Sequence, residues 1–291
     1  MKKKNLLRIV SSVLTVFCLF QTIIIKAFDS EEHNRMMRNS LFRKGFFKYY
    51  GERYIEDKEN EYLLMLEDAS YLVLDQYNDK NNHKGSKTLE HLKSLKVTGL
   101  PVSINEIDFS GNSSHRAYTH LGWNHNYLID KANWNIRKTI LLNTVDRIFK
   151  FDSTQQKDSF AAIIYYIHLL GDRKCDTDGK SDAEIKHSEA KNIMEVGGRH
   201  STDKNDIIDE LLIHIKVVFK NQTNTHKFRQ LVNRLERENA EFEKIVRSDG
   251  GVNTTEKIKE YGKLTDKVCK TITYYLPEML KNEAFFRNVF Y

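Results

Sequence analysis

Residues 206–219 read "DIIDELLIHIKVVF". Ile207, Ile208, Leu211, Leu212, Ile215, Val218 and Phe219 recur at intervals of three and four, so a helix gathers them into one stripe while a strand would scatter them over two faces. The other long segments share this period, and alternation at a period of two is scarce. The chain contains only two prolines, Pro101 and Pro277, so little interrupts helical propagation. The pattern predicts an all-α fold, a single-domain multi-helix bundle, with helices near residues 29–50, 57–78, 124–150, 154–172, 204–220, 223–247, 253–275 and 278–289. No internal repeat is visible.

The first 27 residues stand apart. "MKKKNLLRIVSSVLTVFCLFQTIIIKA" begins with Lys2, Lys3, Lys4 and Arg8, continues through an apolar run from Ile9 to Ile25, and offers Ala27 as a cleavage position. That is the shape of a secretory signal peptide, with an uncleaved membrane anchor as the alternative, since the run is about long enough to span a bilayer. Either way the domain of residues 28–291 is expected outside the cytoplasm. The full chain has a formal charge of +6, from 46 basic and 40 acidic residues. Five of the basic residues lie in this segment, and without them the balance is 41 to 40, a net +1. The basic character is therefore a targeting feature and does not argue for nucleic-acid affinity. Cys18 lies inside the apolar run. Cys175 and Cys269 remain in the exported part, where they either pair or stay as two thiols.

Two intervals between the expected helices, 79–122 and 173–203, are long, and loops of this length in a compact domain either carry function or lack fixed structure. Both hold histidines, which favours function. His33 follows Asp29, Glu31 and Glu32; His115, His120 and His125 fall in "SHRAYTHLGWNHNY"; His187 and His200 lie in the second interval. Asp68 and Asp75, seven apart, share a helix face. His168 and Asp172 are four apart in "HLLGD", so a helix that continues through Gly171 puts both on one side, where imidazole nitrogen and carboxylate oxygen suit zinc. The plainer reading of that pair is a histidine bonded to a carbonyl and an aspartate capping the next turn. His214, on an apolar stripe, reads as a core or boundary histidine, and His83, His91 and His226 as surface residues.

The "HLLGD" of residues 168–172 at a helix end resembles the metal-binding helix of the bacterial zinc-dependent phospholipase C family and the related zinc-dependent single-strand nucleases. Those proteins are all-α, secreted phosphodiesterases with three zinc ions. Their ligands run along the chain as the new N-terminal residue, a histidine, an aspartate, a histidine, the HxxxD pair, then two further histidines and an acid. By resemblance the corresponding positions here are Phe28, His33, Asp75, His120 or His115, His168 and Asp172, then His187 and His200. The pattern departs from the family at three places. Phe28 stands where the family has tryptophan, "RKCDTDGKSD" follows the HxxxD pair without an early histidine, and the final HxxxE is missing, leaving Asp203 and Asp206 as the available acids.

The resemblance implies two or three zinc ions, with Asp75 orienting or deprotonating the attacking water. Arg116 is a candidate for a phosphate oxygen through its guanidinium fork. Trp123 is a candidate for packing against substrate, and so is Tyr118. The near-neutral exported part favours a phospholipid headgroup over nucleic acid as the phosphodiester, with contact at a membrane surface; no protein partner is implied. A nuclease or nucleotidase of the same fold is the alternative. Two other readings stay open: a helical binding protein whose metal site has decayed, and a hydrolase with one or two metals.

Overall fold

The computed structural model describes residues 40–41, 62, 65–66, 68–69, 83–103, 106, 131–177, 207–247 and 255–290. These form an all-α fold: 84% of them are helical and none lies in a strand. In chain order the helices are α1 (His83–Ser94), α2 (Lys131–Ile148), α3 (Thr154–Thr177), α4 (Ile207–Val218), α5 (His226–Arg247), α6 (Thr255–Leu280) and α7 (Ala284–Phe290), with one 3-10 turn, Lys220–Gln222, between α4 and α5.

The apolar run of α3 puts it at the centre. Every residue from Phe160 to Ile167 is fully buried, and His168 and Leu170 follow at 1% exposure. A helix apolar on all sides needs neighbours on all sides, and α3 packs against α2, α4 and α6. The outer layer is amphipathic by contrast. Helix α4 buries Ile208, Leu211, Leu212, Ile215 and Val218 while Ile213 is exposed, as the stripe requires. Helix α5 lies against α4 and α6, burying Phe228, Leu231, Leu235 and Phe242.

Hydrogen bonds close the helix ends. At the start of α3 the Ser153 hydroxyl accepts from the Gln156 backbone N–H at 3.1 Å, and the Gln156 side-chain oxygen accepts from the Asp152 N–H at 3.1 Å. This reciprocal arrangement closely follows a capping box, displaced by one residue on its return arm. Helix α1 closes with the Val97 N–H bonded to the Leu92 carbonyl at 3.1 Å and the Lys96 N–H to the Lys93 carbonyl at 2.9 Å. That is a Schellman closure, with Lys96 at φ 62° in the left-handed position usually given to glycine. Three residues on, Gly99 turns the chain at φ 66°, where a Cβ would collide with Asn143 Nδ2; that same amide donates to the Thr98 carbonyl at 2.7 Å.

Several expected boundaries move. The interval 79–122 contains α1, whose polar sequence hides a short buried edge of Thr88, Leu89 and Leu92. Helix α3 runs five residues past the expected end at 172 and absorbs the start of the second interval. The expected break between 275 and 278 does not form: α6 passes through Pro277, and Tyr275, Leu276, Met279 and Leu280 are all buried around it. Packing on both sides of the proline outweighs the hydrogen bond it cannot donate. The chain turns instead at Lys281–Glu283, where the Asn282 and Glu283 N–H groups bond to the Met279 and Leu280 carbonyls, each at 3.0 Å. Residues 40–41 and the described positions from 62 to 69 are helical, within the expected spans 29–50 and 57–78.

Candidate functional site

The candidate site is built from α3 outward. Its backbone is helical without interruption from Thr154 to Thr177, so Gly171 does not end it. Positions 168 and 172 therefore sit one turn apart on the same face, the register that the HxxxD reading requires. His168 is held in the core, 1% exposed, directly after the fully buried run that ends at Ile167. One turn of α3 is tied to α6 here, because the Cys269 thiol donates to the Leu170 carbonyl at 3.8 Å. A weak sulfur donor of this kind satisfies part of a carbonyl that also bonds within its own helix. Cys175 lies in the last turns of α3.

His33, Asp75, His115, Arg116, His120, Trp123 and His200 lie outside the described residues, as do Phe28, Tyr118, His187, Asp203 and Asp206. The apolar run from Ile9 to Ile25 lies outside them too; among the described residues no helix is long and apolar enough to cross a membrane. Among the described residues no three histidine, cysteine or acidic side chains gather as a metal-ligating group. The donor chemistry of the pair on α3, one imidazole and one carboxylate at a spacing of four, fits zinc as far as those two positions go.

The remaining histidines divide. His91, read as a surface residue, is only partly exposed, and its Nδ1 meets Asp68 Oδ2 at 2.5 Å. The contact ties α1 to the helical residues around Met65 and Leu66, so Asp68 is engaged by a histidine 23 residues away. Periodicity could not reveal this, because neither residue lies on the other's element. His214 is in the core as its stripe implies, 4% exposed. Its Nδ1 is 3.2 Å from Ser159 Oγ, and its ring stacks on Tyr166 with centroids 5.9 Å apart. Burial lowers its pKa to about 4, with Asp158 pulling the other way and Lys138 adding to the fall.

Two buried carboxyls complete the polar interior. Glu238 accepts from the Thr271 hydroxyl at 3.0 Å across the α5–α6 contact, and Glu283 accepts from Gln222 Nε2 at 2.5 Å. Burial raises the pKa of both; these hydrogen bonds act in the opposite sense without cancelling it. Neither carboxyl lies on α3. No protein family, curated protein or solved structure matches the chain.

Proposed function

We propose that the chain is a secreted zinc-dependent phosphodiester hydrolase of phospholipase C type. The observation that carries the reading is the unbroken helix through Gly171, with a buried His168 one turn before Asp172. A histidine among fully buried apolar residues has its rotamer restricted by packing, which is the preorganisation a ligand needs. His168 and Asp172 would hold metal together with His33, Asp75, His115 or His120, and His200. Zinc held by these groups would supply a Lewis acid for a phosphate oxygen and for the attacking water. Asp75 would orient or deprotonate the attacking water. Arg116 holds a non-bridging phosphate oxygen, and Trp123 packs on the substrate's headgroup. The balance of +1 outside residues 1–27 supports a phospholipid headgroup over a long polyanion.

Metal analysis of the purified protein tests this directly, followed by hydrolysis assays on phosphatidylcholine vesicles and on single-stranded DNA. Two or three zinc ions per chain and turnover of phosphatidylcholine are expected, with activity lost in His168→Ala and zinc content reduced by at least one ion. Turnover of DNA alone would move the assignment to the nuclease branch. Substoichiometric zinc with neither activity would overturn the reading in favour of a helical binding protein.

A further inference from the structure

The seam between α3 and α4 contains a histidine whose second nitrogen has nowhere to place a proton. Nδ1 of His214 meets Ser159 Oγ, while Nε2 is buried and has no hydrogen-bond partner. A neutral imidazole needs only one donor and one acceptor, so the ring can sit here with Nε2 as its bare acceptor nitrogen. A protonated ring carries N–H on both nitrogens, and the second would be a buried charged donor without an acceptor. We propose that His214 is an acid-sensitive latch, whose protonation loosens the packing of α4 against the central helix α3.

The surrounding charges do not rescue the cation. Asp158, from α3, favours it, but burial opposes it more strongly and Lys138, from α2, opposes it as well. On α4 itself Glu210 lies one turn before His214 and is 3.5 Å from the Tyr166 hydroxyl. On the α5 side the groups meeting α4 are paired: Asp209 accepts from Asn239 at 2.6 Å, and Lys216 meets Glu236 at 3.2 Å at the exposed rim. The stacked face of Tyr166 offers a cation–π contact, which is weaker than the desolvation it would have to offset.

The sign follows from the two states. In the unfolded chain His214 titrates near 6.5, and in the fold near 4. Its neutral form is favoured by folding, so this stabilisation is full above about 6.5 and declines as pH falls toward 4. Over that window the folded-to-unfolded ratio falls on the order of 100-fold through this one group. The group that titrates lies at the seam, and α3 is the helix that carries His168.

The test compares urea unfolding of the full chain and of His214→Phe at pH 7.5 and pH 4.5, with amide hydrogen exchange read over α4. The wild type should lose roughly tenfold to 100-fold more folded population than the variant on acidification, and its α4 amides should exchange faster at pH 4.5. Histidine C2 hydrogen exchange in the wild type measures the His214 pKa itself, so it decides the matter even where the variant does not fold. A value near 6.5, or an equal acid loss in His214→Phe, overturns the latch; a value near 4 supports it.

Discussion

Glu283 shows how a buried carboxyl can act against the direction of His214. It is 5% exposed, bonded to Gln222 Nε2, which also donates to the Met279 carbonyl at 2.9 Å, and burial raises its pKa above the usual carboxylate value of 4.5. The fold prefers its neutral form. Stability from this group is therefore fully present below 4.5 and is lost as pH rises through its raised folded value. Glu283→Gln keeps an oxygen to accept from Gln222 and removes the charge. The variant should be more stable than wild type at pH 7 by about 1 kcal/mol, with the gap closing below pH 4.5. Urea midpoints at the two pH values check both the sign and the closure. None of this was legible in the sequence, where Glu283 is one of 40 acidic residues and its partner lies 61 positions away.

At the scale of elements, helix identity was largely legible and helix ends were not. The stripe of α4 and the apolar run of α3 are properties of neighbouring residues, and a period of 3.6 reports them directly. The end of α6 depends on what packs around Pro277, and the closure of α1 on Lys96 adopting a left-handed conformation, neither of which a local pattern records. The exception is the start of α3, where Ser153 and Gln156 stand at capping-box spacing. Ser153→Ala should lower stability by about 1 kcal/mol, since the Gln156 N–H loses its acceptor. Chemical denaturation should show a lower midpoint with an unchanged slope; no change in midpoint would mean that the cap contributes nothing. The candidate site divides in the same way. The register of positions 168 and 172 is a local property and could be read from a spacing of four. Whether His33, Asp75, His115, His120 and His200 come to that turn depends on long-range contacts, which no local period encodes.

Among the described residues, aromatics cluster near the start of α3, on the far side of its apolar run from His168. Phe149 and Phe151, in the link between α2 and α3, both meet Phe160 on α3 and Phe285 at the start of α7, and Phe149 also stacks on Phe286. The Phe151–Phe285 ring centroids are 4.8 Å apart and those of Phe160 and Phe285 5.1 Å, so the last helix is sealed onto the corner where the central helix begins. From Phe160 to His168 is eight residues of helix, about 12 Å along the axis. The central helix thus joins a purely apolar clasp to a candidate ligand, and the two can be separated experimentally. Phe285→Ala should cost about 3–5 kcal/mol, because a ring that is 4% exposed leaves a cavity among rigid neighbours. Its zinc content, measured on the protein that remains folded, should equal that of the wild type. His168→Ala should lose zinc at a smaller cost in stability. If Phe285→Ala loses zinc while its unfolding midpoint barely moves, the clasp and the candidate ligand are not independent, and α3 does not act as a rigid element between them.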